Sequence, residues 1–295
     1  MPESTELKVM LKYAGGFVHD IHKYLGPLVW GFTIGYCNSK DKDFLAARKA
    51  HSEIGRNYKV MERLLYQKKI NSMEFKESVI NLSKNAAVFL RALGKFVKSG
   101  NCPPKFAKTF VNFNLAFKMV IPLCRVLAEG KLKLRKRKVR LRALLEEILP
   151  WASGCPIEIG IGREAYFGPA KFSIRVEGDP VVYADPLHLQ RAMFNVLHDA
   201  IIHSKGEPVT ISLRATKRNA VFSTTNVGRM VEREALSKIG KVPYTTRKIM
   251  VLHGFGKVAA RDAIKAHGGK FRKRNAPQGF RISLAIPLKR RKRVA

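Results

Sequence analysis

Acidic residues are scarce in this chain, and toward its carboxyl end they nearly disappear. After Glu207 only Glu232, Glu234 and Asp262 remain. The 295 residues hold 22 Asp and Glu against 56 Lys and Arg, a formal net charge of +34. That imbalance favours anionic partners such as nucleic acid, acidic protein faces or phosphates. Cysteine is sparse too. Cys37, Cys102, Cys124 and Cys155 lie far apart with no close pair. This argues against a zinc site and a disulfide framework, and for a reducing, cytoplasmic setting. Long apolar runs are missing near the amino end. The uncharged stretch from Tyr24 to Ser39 is too short to span a bilayer, and glycines, a proline and an asparagine break it. No charged-apolar-small secretory pattern precedes it. No internal repeat is found.

What is present is a globular composition. Apolar residues make up 46% of the chain, too many for a disordered polymer. The length allows two domains, each with a core. Within 5–130, apolar residues recur at three and four in "FLAARKAHSEIGRNYKVMERLLYQ", "MEFKESVINLSKNAAVFLRALGKFV" and "PKFAKTFVNFNLAFKMVIPLCRVLAEG". That spacing predicts helices, with breaks at 37–43, near Ile70–Ser72 and at 98–104. The expected result is an antiparallel helical bundle. Cations concentrate in "KLKLRKRKVRLR" (131–142), "RKR" (272–274) and "KRRKR" (289–293). The first of these is expected to be a linker or an extended final helix.

From about Val139 the pattern changes. Short β-rich runs follow one another, "PIEIGIG", "FSIRVEG", "PVVYAD", "VTISLRAT" and "NAVFSTT". Helical segments at 185–204 and 256–269 interrupt them, and "GKFRKRNAPQGFRISLAIPL" reads as a closing hairpin. Strands interleaved with helices predict an α/β sandwich. The expected domains are therefore a helical bundle over 1–138, a sandwich over 139–288 and a basic tail over 289–295.

Two constellations carry chemistry. From "YAGGFVHDIHKYLGPL" (13–28) onward, Phe17, Ile21, Tyr24, Leu28 and Phe32 form one helical stripe. His19 falls on the other side with Asp20 beside it. An imidazole nucleophile needs that exposure and a neighbouring carboxylate to orient it and take its proton. His19 and His22 have no third ligand nearby and make a poor metal pair. In "DPLHLQRAMFNVLHDAIIHS", Leu189, Met193, Val196, Leu197, Ala200 and Ile201 form the expected buried stripe. Asn195 and Asp199, at i and i+4, fall opposite it, so their oxygens can reach one ligand. Such a pair suits Mg²⁺, which takes one or two protein oxygens plus phosphate and water. Gly254 and Gly256 precede a helix, where backbone N–H groups can approach phosphate.

These stretches have a family resemblance. "AGGFVHDIHKYL" resembles the phosphoacceptor box of sensor histidine kinases, in the class reading Gly-Gly-x-x-His-Asp-x-x-Asn-x-Leu. "DPLHLQRAMFNVLHDA" resembles their asparagine box. "KVPYTTRK" resembles the Pro-Phe-x-Thr-Thr-Lys segment before the ATP lid, and "GFG…AIKAHGGKF…QGFRISLAIP" the second glycine box and closing hairpin. The four occur in the family's order. The resemblance implies a dimerising, phosphoacceptor-like helical domain followed by a Bergerat-type α/β sandwich that binds ATP and Mg²⁺, with a receiver-domain response regulator as partner. By motif, His19 matches the phosphorylated histidine and Asp20 its acidic neighbour. Asn195, Asp199, Thr245, Thr246, Gly254 and Gly256 match cofactor-binding positions, with Asn195 and Asp199 on the metal.

The sequence departs from the pattern in identifiable places. Lys23 replaces the first box's asparagine, and Asp199 an expected asparagine. In "STTNVGRM" (223–230), Thr225 stands where an aspartate accepts the adenine amino group, with Val227 and Arg229 at glycine positions. Leu252 replaces a glycine and Lys257 a leucine. The expected function is phosphoryl transfer through His19 with weakened or lost ATP binding. The alternatives are an active Mg-ATP-dependent histidine autokinase, and a basic nucleic-acid-binding or scaffold adaptor using its cationic linker and tail. Against the adaptor, the basic runs are not interleaved with aromatics.

Overall fold

A computed structural model describes residues 41–66, 72–99, 124, 134–154, 171–204, 206–228, 230–242 and 255–288. The stretch around His19 and Asp20, together with Thr245, Thr246 and Gly254, lies outside them, as does the expected strand "PIEIGIG". The chain divides into two compact units, Met1–Lys133 and Leu134–Ala295.

In the first unit, Asp41 opens helix α1 (Lys42–Tyr66). Its Oδ1 accepts the backbone N–H groups of Asp43 at 2.9 Å and Phe44 at 3.1 Å, which satisfies donors that a helix start leaves unpaired. Helix α2 (Ser72–Lys98) buries Phe75, Val79, Leu82, Ala86, Phe89, Leu93 and Phe96, alternating steps of four and three along one seam. The start of α1 meets the end of α2 through Phe44 and Phe96, with ring centroids 5.4 Å apart. Its end meets the start of α2 through Arg63 and Glu74 at 2.8 Å. The two helices are therefore antiparallel, as the length of the loop between them predicts.

The second unit begins with a correction. The basic run expected to be linker or helix contains strand β1 (Arg137–Arg140), antiparallel to β3 (Val181–Ala184), and the first residues of helix α3 (Leu141–Gly154). Only Val139 of β1 is buried, opposite Val182. A single apolar residue among cations gave no visible alternation.

The main sheet has the order β2-β4-β5-β7-β6, with β2 (Phe172–Glu177), β4 (Val209–Ala215), β5 (Asn219–Val227), β6 (Lys270–Ala276) and β7 (Gly279–Pro287). β2 and β4 run parallel and the other neighbours antiparallel. Helix α4 (Pro186–Ser204) and helix α6 (Phe255–Ala266) pack on each other and on this sheet, and a short helix α5 (Arg233–Lys238) lies between them in sequence. Ile211, Leu213, Phe222, Leu284, Ile282 and Ile286 share the helix-facing side in register and are buried. On the other side Ser223 Oγ donates to Ser283 Oγ at 2.9 Å.

Two glycines are required by geometry. Gly268 (φ +73°) ends α6 in a left-handed turn, with Gly269 N–H bonded to Ile264 O at 2.9 Å and Gly268 N–H to Lys265 O at 2.8 Å. Gly279 (φ +147°) turns β6 into β7, and a Cβ there would lie 2.2 Å from Asn226 O. Among the described residues β6 forms one edge of the sheet, with Lys270, Arg272 and Arg274 exposed on one face.

Candidate functional site

Helix α4 carries the site, and Asp185 sets its start. Asp185 Oδ1 accepts the N–H groups of Leu187 at 3.0 Å and His188 at 3.2 Å, and Oδ2 accepts that of Arg135 at 2.7 Å. Its own N–H donates to His267 Nε2 at 2.9 Å, while His267 Nδ1 lies 2.7 Å from Ala263 O. The imidazole therefore carries its proton on Nδ1 and accepts at Nε2. This ties the beginning of α4 to the end of α6. Burial lowers the pKa of His267. Burial also lowers that of His188 to about 4, with Arg191 and His267 adding to the effect and Asp185 opposing it. Sequence reading did not single out this junction; its one signal was an aspartate immediately before a proline-led helix.

Asn195 and Asp199 lie one turn apart on α4, as predicted, but not on an open face. Asn195 is only 2% exposed. A Cβ at Gly256 would lie 3.4 Å from its Oδ1, so the first turn of α6 sits directly over it. The next residue, Lys257, reaches across and its Nζ donates to Asp199 Oδ1. Both side chains are largely buried, at 12% and 20% exposure. His203 Nε2 stands 3.6 Å from the same carboxylate oxygen. The structure thus brings together Asn195, Asp199 and Gly256 and adds Lys257, which the sequence showed only as a departure from leucine.

The end of β5 forms the floor. Thr224 is 1% exposed and its Oγ1 donates to Val196 O of α4 at 3.4 Å. Successive strand residues face opposite ways, so Thr225 points away from the helices, and its Oγ1 accepts Arg281 Nε at 2.8 Å. Thr224 therefore faces α4, and Thr225 and Val227 face the opposite side of the sheet. A Cβ at Gly228 would meet His203 O at 3.4 Å. Neither threonine supplies a carboxylate.

The stretch that carries these elements matches one known family. The matching family model is described as histidine kinase-, DNA gyrase B- and HSP90-like ATPase, over residues 184–290. Over those residues the chain is similar to that family's ATPase domain. The kinship with histidine kinases expected from the motifs is borne out, and the mixed sheet with its helices is consistent with a Bergerat-type ATPase domain.

Among solved structures, the chain is similar to the catalytic domain of the histidine kinase ThkA. The match has 20% identity and a TM-score of 0.42, over 52% of this chain and 95% of that one. The ATP-binding domain of PrrB from Mycobacterium tuberculosis matches with 17% identity and a TM-score of 0.40, over 52% and 96%. The Acinetobacter baumannii histidine kinase AdeS matches with 16% identity and a TM-score of 0.41, over 70% and 96%. Comparison with curated proteins gives no match.

The family implies ATP with Mg²⁺. Asn195 and Asp199 stand on the expected helix, but Asp199 already binds an ammonium and Asn195 is covered. Among the described residues no group of three or more His, Cys, Asp or Glu is placed to hold a metal ion, and no helix is long and apolar enough to cross a membrane.

Proposed function

We propose that the chain is a divergent two-component signalling protein in which His19 carries the phosphoryl group, while the ATPase domain binds ATP weakly or not at all. The observation that supports this best is the pairing of Asp199 with Lys257. The carboxylate assigned to the metal is already neutralised from within, and its asparagine companion lies beneath Gly256. These donors do not fit a hydrated Mg²⁺, which keeps several waters in near-octahedral geometry. The floor adds to the loss. A threonine in place of an adenine-binding carboxylate forgoes a charge-assisted hydrogen bond of about 1.5–3 kcal/mol, roughly ten- to more than a hundredfold in affinity.

In this reading His19 exchanges phosphate with the aspartate of a receiver-domain response regulator. Asp20 orients the imidazole and takes its proton. The helical unit supplies the dimer contacts. Thr245, Thr246, Gly254 and Gly256 are what remains of the phosphate contacts, and the basic tail 289–295 draws in an acidic partner face. The protein acts in the cytoplasm. Incubation with a phosphorylated receiver domain tests this. The expected result is acid-labile, alkali-stable label on the wild type and none on His19→Ala. Equally strong His19-dependent label from radiolabelled Mg-ATP alone would replace the proposal with an active autokinase. No label from either donor would end it.

A further inference from the structure

We infer that the Lys257 ammonium takes the place of the divalent cation at Asp199, so that any phosphate-bearing ligand of this domain binds without magnesium. The inference rests on reading α4 and α6 as the ligand-facing elements, as proposed above.

Charge comes first. Among the groups gathered here (Asn195, Asp199, His203, Thr224 and Lys257), only Asp199 is an acid. Lys257 brings it to neutrality. A divalent ion entering beside this pair would meet a net-neutral carboxylate and an adjacent positive charge, so its attraction to the site is largely cancelled. To gain the carboxylate it must displace an ammonium whose side chain is 12% exposed and held by the same backbone turn as Gly256. The tether makes Lys257 an intramolecular competitor, present at an effective concentration of roughly millimolar or higher.

Donor supply points the same way. Magnesium would look to Asn195 for a second protein oxygen, yet Asn195 is 2% exposed with α6 packed over it. Lysine offers three N–H donors. One is used on Asp199 Oδ1; the other two can serve phosphate oxygens, which an ammonium binds as a point charge. A single side chain therefore neutralises the acid and presents positive charge to the ligand, the two tasks otherwise done by the metal.

The test uses the full chain and manganese as the metal probe. Free Mn²⁺ is followed by electron paramagnetic resonance during titration, with and without ADP. ADP affinity is measured in parallel in EDTA and in excess magnesium. Three results are expected. The wild type shows no Mn²⁺ site that depends on Asp199. Lys257→Met acquires one, and Lys257→Met combined with Asp199→Asn loses it. ADP affinity differs by less than about threefold between EDTA and magnesium. A wild-type Mn²⁺ site abolished by Asp199→Asn would overturn the inference, as would a magnesium-dependent gain in ADP affinity of about tenfold or more. So would a folded Lys257→Met chain that binds no more Mn²⁺ than the wild type. Circular dichroism checks folding, and Lys257→Gln replaces the methionine variant should that fail to fold. If ADP binds in neither condition, the manganese titrations decide alone. Failure of the His19 reading shows separately, as absent label from a phosphorylated receiver domain.

Discussion

Helices α2 and α4 both bury side chains, but in different ways. α2 presents one apolar seam, Phe75 to Phe96, and its buried residues include a single polar one, Ser78. α4 buries residues on nearly every side, among them His188, Arg191, Asn195 and Ser204. A buried polar group costs free energy unless it is bonded, so a helix that carries several is shaped by more than packing. Buried faces can therefore serve opposite ends, one as adhesive and the other as the frame of a site.

That contrast can be broken most sharply from the α2 side. Phe89→Ala removes a fully buried ring that sits 6.0 Å from the His51 ring of α1, and should destabilise the helical pair by about 3–5 kcal/mol. Urea denaturation measures this, and a loss under about 1 kcal/mol would show that the seam re-collapses without it.

On α4 the corresponding weakness is protonation. His188 titrates near 4 in the folded chain against an ordinary value of 6.5, so the unfolded chain binds the extra proton first as pH falls. Its contribution is complete above about pH 6.5 and drains away toward pH 4, by up to about 3 kcal/mol. Denaturation midpoints across that window should fall in the wild type and flatten in His188→Gln.

A smaller effect is expected at the ion pair. Lys257→Met leaves Asp199 without its ammonium and should cost about 2 kcal/mol. Asp199→Asn added to it should restore part of that, and a double-mutant cycle on thermal unfolding gives the coupling. Additive costs would mean that the two groups do not support each other.

Gly256→Ala should change least. A Cβ there meets Asn195 Oδ1 at 3.4 Å, a tight but tolerable contact, and alanine's helix propensity offsets it by about 1 kcal/mol. A melting temperature close to that of the wild type is expected. A large fall would mean that α6 is clamped to Asn195 more firmly than one van der Waals contact requires.

Much of this architecture was legible. Alternation in "FSIRVEG", "VTISLRAT" and "NAVFSTT" gave β2, β4 and β5, and the three-four spacing gave α1, α2 and α4. β1 was hidden because Lys138 and Arg140 flank its single buried residue. Asn195 was rightly placed on α4 away from the apolar stripe. That α6 closes over it, and that Lys257 finds Asp199, depends on residues more than fifty positions apart. No local periodicity carries that information.

The rim strand β6 has a consequence for how copies of this protein behave in concentrated solution. If two molecules tried to extend their sheets through this margin, Lys270, Arg272 and Arg274 of each would confront one another. At low ionic strength that repulsion keeps the margins apart. Added salt shortens its reach, so self-association by strand addition should first appear in strong electrolyte.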